Sequence, residues 1–267
     1  MDKAFERAQK ILSSPIDPRS FTDYKDVEQD IAFVEQQESR HRKMAAQDTP
    51  EQLRARKLAK IFEAIIFEQT ELANWFGENA STLQTSKFDD IVNKVDAVVE
   101  FKEGLMQAMH LALAMDVTIS GHFGEKFDHI KKTIDSGKLT EIKYFASEVL
   151  NIHGRKTNVP HVVLGVDRKT LYDVVAKWAN GDTKALADHP IQIKLLCEIE
   201  TQLEAYQKYA TSSEQTQLVP IYEKTLQIVR GIIAEKGITT DDRKEALRDE
   251  VFYSLKFSAE HLADRKV

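Results

Sequence analysis

An α/β fold with a mixed sheet, a helical arm in front and a helical extension behind is what the order of apolar patterns predicts. Three observations carry it. A long apolar helix pattern near residue 50 is followed by three short runs rich in Val, Ile and Phe. A helix pattern and two more such runs follow, up to residue 167, and from there to the end the pattern is helical. Strands in succession with one central crossover helix suggest a mixed sheet and not a doubly wound one. The predicted organisation is a helical arm over 1–48, an α/β core over 49–167, and a helical extension over 168–267 packed on that core.

The arm is polar and charged, with Pro15 and Pro18 breaking an early helix before a helical run through Val27 to Glu35. A clear start signal follows: Thr49 as N-cap, Pro50 in the first position, Glu51 and Gln52 in the first turn. The helix is predicted to run to about Phe76 and to stop at Gly77. Its apolar residues, Leu58, Ile61, Phe62, Ile65, Ile66, Phe67, Leu72, Trp75 and Phe76, cover so much of its circumference that it must be substantially buried. Glu68 lies beside the line of Ile61, Ile65 and Leu72, whereas Glu63 points to another side.

After a link rich in Ser and Thr, Phe88 to Val92 reads as a short strand and Asn93-Lys94 as a turn. Val95 to Phe101 and Leu111 to Ile119 read as the next two strands, joined through 102–107. A helix over 125–135 ends at Ser136-Gly137. Leu139 to Phe145 and His161 to Val166 are the last strands. Helices follow at about 168–179, 190–210, 217–236 and 240–263, with Pro190 and Pro220 near starts and Gly181 and Gly237 near breaks.

With 267 residues, 30% charged and 42% hydrophobic, and a net charge of −6, the chain has ordinary globular composition. An anionic substrate therefore needs a local basic surface. The single cysteine, Cys197, excludes an intrachain disulfide and a multi-cysteine zinc site; its position suits a small core residue on a helix. The charged start lacks the apolar stretch of a signal peptide, and no run approaches the roughly 18 to 20 apolar residues of a membrane span. A cytoplasmic protein is expected. The eight histidines form no metal-ligand spacing, and neither a Gly-rich phosphate loop nor a G-x-S-x-G elbow occurs.

Two strand-like runs each hold a carboxylate that a purely structural strand would not select: Asp96 in Val95-Asp96-Ala97-Val98-Val99 and Asp116 in Ala114-Met115-Asp116-Val117. A carboxylate among Val, Ile and Phe loses hydration unless a cation or donors compensate it. If the strands are neighbours, the two acids converge, and both stay ionised only beside positive charge. A divalent metal is the simplest such charge, and Glu68, at the edge of a buried helix face, is a candidate third ligand.

The order αβββαβ over residues 50–167, with acids on the first helix and on consecutive strands, resembles the PD-(D/E)xK nuclease superfamily, with its restriction-endonuclease-like core. The resemblance implies Mg²⁺ or Mn²⁺ held by Glu68, Asp96 and Asp116, hydrolysis of phosphodiester bonds, and DNA or RNA as partner. Two registers fit. In the first, Asp96 is the strand acid and Asp116-Val117-Thr118 stands at the D/E-x-K position, Thr118 replacing lysine, so that the lysine comes from the following helix, with Lys126 expected to orient the water. In the second, Asp90 is the strand acid and Glu100-Phe101-Lys102 is an intact E-x-K. The first is preferred because only a short connector follows Lys102. The alternative is an inactive nuclease fold, or another α/β protein, acting as a binding or assembly module. Its C-terminal helices would then mediate homo-oligomerisation or hold a protein partner.

Overall fold

The computed structural model describes residues 1–102, 108–116, 123–148, 150–246, 248 and 250–265, with the side chains of 112–116 and 246 outside that description. Helix α1 (Asp2–Ile11) and helix α2 (Val27–Ala45) precede helix α3 (Pro50–Leu72). The start of α3 is the capping box expected from Thr49: its hydroxyl accepts from Gln52 N at 3.3 Å, and Gln52 Oε1 accepts from Thr49 N at 2.8 Å. The helix ends at Leu72, short of Phe76; Trp75 and Phe76 are buried beyond its end, with Trp75 Nε1 donating to Leu186 O at 3.0 Å.

The segment expected as an arm divides in two. Ala4, Ala8 and Leu12 are buried in the main core, so α1 is docked on α3, whereas α2 buries only Val27. Small residues at 4 and 8 present one close-packing face to α3.

Strands β1 (Ala80–Gln84) and β2 (Ala97–Lys102) flank a short helix α4 (Lys87–Asn93), and β3 (Ala108–Asp116) follows. Here the structure corrects the sequence. Residues 88–92, expected as a strand, form α4, because Ser86 caps it by accepting from Asp89 N at 3.1 Å and the Asp89-Asp90 pair suits a positive helix start. The first strand is instead β1, inside the Ser/Thr link, where only Ala80 and Thr82 are buried.

Helix α5 (Gly124–Asp135) leads to β4 (Thr140–Ser147), β5 (Ile152–Val159) and β6 (His161–Gly165). The main sheet has the order β1-β2-β3-β6, antiparallel except for the parallel β3/β6 pair, so the sheet is mixed as expected. β4 does not join it; it pairs with β5, which the sequence did not signal, in a separate hairpin. Five buried apolar residues, Val95, Val98, Ile142, Phe145 and Val159, join the hairpin to the sheet. Asp89 adds a polar tie, accepting from Lys143 N at 2.8 Å and Tyr144 N at 3.1 Å. Lys143 Nζ in turn reaches Asp26 at 2.6 Å and Asp30 at 2.5 Å at the start of α2.

The tail comprises α6 (Arg168–Ala179), α7 (Thr183–Ala187), α8 (Ile191–Ser212), α9 (Val219–Glu235), α10 (Thr240–Ala246) and α11 (Glu250–Glu260), so the expected helix over 240–263 is two helices. Helix α8 is buried over much of its surface and lies along the outer edge of β6. Gln202 Oε1 accepts from Val163 N at 2.8 Å and its Nε2 donates to Val163 O at 2.7 Å; Glu198 Oε2 accepts from Gly165 N at 3.0 Å. A helix thus satisfies backbone groups that an edge strand otherwise leaves open. The same edge is tight: a Cβ on Gly165 would stand 2.5 Å from Val251 Cγ1, which explains glycine there.

Candidate functional site

The acids that the sequence singled out are separated by the topology into two groups. Asp96 immediately precedes β2, and Asp116 closes β3 as the Cα partner of Gly165. Because Ala97 stands opposite Leu113, position 96 falls opposite 114, two residues from 116, at one end of the sheet. Thr85 Oγ1 fixes this entry by donating to Val95 O at 2.6 Å and to Asp96 O at 3.2 Å. The side chain of Asp116 and all of Thr118 lie outside the described residues.

Glu68 is not at that end. Arg7 Nη2 donates to both its carboxylate oxygens, at 2.9 and 2.7 Å, and Trp178 Nε1 donates at 2.6 Å. Its side is the one facing α1 and α6. Glu63, five residues earlier and therefore about 140° around α3, lies instead on the side of α4. Burial holds the Glu63 carboxyl above the ordinary carboxylate range, against the opposing charge of Lys60 and with the charge of Asp90 adding to the rise. Lys60 Nζ lies 2.6 Å from Glu63.

Lys87, in the first turn of α4, connects these groups. Burial disfavours its ammonium, yet Asp90, at 2.9 Å, with the charges of Glu63 and Asp96, keeps its pKa above the ordinary lysine value. Glu63, Lys87, Asp90 and Asp96 therefore share one electrostatic neighbourhood. Sequence reasoning misses Glu63 and Lys87 because residues 88–92 carry a strand-like apolar pattern, whereas the helix they form, α4, brings Lys87 and Asp90 beside α3. The usable signal was Ser86 followed by Asp89, an N-cap with acid in the first turn.

Lys126 occupies the first turn of α5, on another flank, where its charge and that of His129 add to the effect of burial on His161. His161 is pushed down to about 3 by that burial. A depressed histidine pKa contributes stability that is complete above the unfolded value near 6.5 and is lost as pH falls below it. Between pH 7 and pH 5 the parent is expected to lose about 2 kcal/mol more than His161→Gln, at about 1.4 kcal/mol per pH unit below 6.5. Urea unfolding at the two pH values measures this; equal losses would remove His161 as the cause.

The second register is taken apart by the fold. Asp90 belongs to α4 and pairs with Lys87. Glu100 is fully buried near the other end of β2, accepting from His110 Nε2 at 2.9 Å and Ser147 Oγ at 2.7 Å, while Lys102 is exposed. Four to six residues of extended chain, roughly 13 to 20 Å, separate Glu100 and Lys102 from Asp96. Cys197 is buried on α8, and burial pushes its thiol up to about 11, which leaves little nucleophilic thiolate.

Among the described residues, no three His, Cys, Asp or Glu side chains gather closely enough to hold a metal ion. The register places position 116 at the same end of the sheet as Asp96. Among the described residues, no helix is long and apolar enough to cross a membrane. Comparison with known proteins adds no relative: no family model matches the chain, and neither a curated protein nor a solved structure does.

Proposed function

We propose that this chain is a metal-dependent, nuclease-like hydrolase of phosphodiester bonds in nucleic acid, on a restriction-endonuclease-like αβββαβ core made by α3, β1, β2, β3, α5 and β6. The observation that carries the reading is the shared electrostatic neighbourhood of Glu63, Lys87 and Asp96 at the sheet end where Asp116 closes β3. Glu63, Asp96 and Asp116 would hold Mg²⁺ or Mn²⁺. The ion, when bound, supplies Lewis acidity and lowers the pKa of a water. Glu63, largely buried, has its charged form disfavoured by that burial, and a bound cation would supply the positive charge that favours its carboxylate. Lys87, kept protonated by its acidic neighbours, contributes a fixed positive charge beside the scissile phosphate and takes the place for which the sequence suggested Lys126.

The test is cleavage of labelled DNA and RNA by purified protein with Mg²⁺, Mn²⁺ or EDTA. Metal-dependent cutting is expected, with Asp96→Asn and Asp116→Asn folded but inactive; cutting that survives EDTA or either substitution rejects the site. A second reading, an inactive fold serving assembly, is favoured by Tyr253 and Phe257, one turn apart on α11 and 56% and 63% exposed. An inactive parent that dimerises, and a Phe257→Glu variant that does not, would select it.

A further inference from the structure

We propose that the groove between α1 and the first half of α3 is the track on which the phosphodiester backbone of the nucleic acid lies as it approaches the Glu63/Asp96 end of the sheet. This rests on the nuclease reading and extends it to the part of the surface that binds substrate.

The chain as a whole carries a net charge of −6 and repels a polyanion, so binding needs a surface where the sign reverses locally. The groove has a volume of about 420 Å³ and is lined by Phe5, Gln9, Leu53, Arg56, Lys57 and Lys60. Three of these six residues are cationic and none is acidic, the carboxylates that pair with the cations, Asp2, Asp48 and Glu63, standing outside the lining. The mixed-charge cavity beside α6 and α8 differs in this respect: Asp167, Asp242, Glu245 and Glu250 stand among its lysines.

The cations follow the helix axis. Arg56 and Lys60 are four residues, about 6 Å, apart along α3, with Lys57 between them. Lys60 is also the residue paired with Glu63, so the cationic row ends where the acidic cluster begins. Lys87, acting on both Glu63 and Asp96, continues the positive line on α4.

Their present partners do not block the track. Lys57 is paired with Asp2, whose side chain is 79% exposed, and Arg56 with Asp48. The exposed Lys57–Asp2 pair holds weakly and exchanges for phosphate oxygens with little loss, whereas Arg56, 53% exposed against 8% for Asp48, keeps its partner and meets a phosphate with guanidinium N–H groups that Asp48 does not take. The floor is apolar: Leu53 is 45% exposed, and the Phe5 ring lies 5.5 Å from Lys57 Nζ. Cations above an apolar floor suit phosphates on one side of a strand and sugars or bases on the other.

The full chain carrying Asp96→Asn, which prevents cutting, is titrated with a fluorescein-labelled DNA duplex and, separately, the matching RNA, by anisotropy over a range of salt. Adding Arg56→Gln and Lys57→Gln together is expected to weaken binding about tenfold near 0.1 M salt and to make the slope of log affinity against log salt shallower by about two. Lys184→Gln with Lys244→Gln, the same change of net charge on α7 and α10, is the control and leaves both quantities unchanged. Leu53→Glu, which puts a carboxylate in the floor, weakens binding without touching a cation; thermal melts check that every variant is folded. Equal affinity and slope in the groove variants and the parent, or an equal loss in the control, overturns the track. If the wild-type chain nevertheless cuts with Mg²⁺, the nuclease reading survives that result. A parent that binds no nucleic acid overturns both.

Discussion

Replacing Gln202 with methionine is expected to lower the unfolding free energy by about 3 to 5 kcal/mol. The side chain is fully buried, and its two ends bond both the donor and the acceptor of Val163. Methionine keeps the volume but leaves a buried N–H and a buried C=O unpartnered, each costing about 1 to 3 kcal/mol. Tyr206, whose hydroxyl donates to Gln202 Oε1 at 3.0 Å, loses its acceptor as well. Urea unfolding followed by circular dichroism gives the value directly. A loss below about 1 kcal/mol would mean that water replaces the amide and that β6 does not depend on α8 for its hydrogen bonds.

Glu63→Gln and Glu68→Gln are expected to fail in opposite ways. Glu63→Gln should reduce metal-dependent cleavage on the order of a hundredfold or more, because a carboxylate ligand becomes a neutral amide. Its melting temperature should stay level or rise: the raised pKa means the charge opposes folding, and glutamine removes the charge. Glu68→Gln should retain cleavage but lose about 1 to 2 kcal/mol of stability, since the charge-assisted bonds from Arg7 and Trp178 become neutral ones. Measuring rate and melting on both variants separates the roles. Cleavage lost in Glu68→Gln and kept in Glu63→Gln would return the helix acid to Glu68.

The exchange of one glutamate for the other shows how far the sequence could be read. Apolar periodicity and the Thr49 cap located α3, and runs of Val, Ile and Phe located β2 and β6, because these elements are decided by burial that a single segment displays. Asp96 and Asp116 stood out for the same reason, as charges within apolar runs. β1 escaped notice because it is an edge strand of small and polar residues with only two buried positions, so its alternation is faint. The side of α3 that faces the site depends on what packs there. Ile61, Ile65 and Leu72 suggested a direction through Glu68, but Leu72 is 68% exposed, and the neighbours of Glu68 prove to be α1 and α6. Only the position of α4 brings Lys87 and Asp90 beside Glu63, and that is a tertiary fact with a weak local signal.

The β4–β5 hairpin begins and ends at the same place, since Thr140 and Val159 are Cα partners. A segment whose ends already touch can be lengthened, shortened or exchanged while α5 and β6 keep their separation. Variation among descendants of this chain should therefore collect in the hairpin sooner than in the parallel β3/β6 pair it interrupts. Two residues limit that freedom. Asp89 and Glu100 reach out from the core to bond the hairpin, and its removal would take two backbone donors from Asp89 and the Ser147 hydroxyl from Glu100, leaving Ser86 and Asn93 on the one and His110 on the other. Loss or replacement of the hairpin should thus be accompanied by neutral residues at 89 and 100, a correlated signature that can be sought in natural variants.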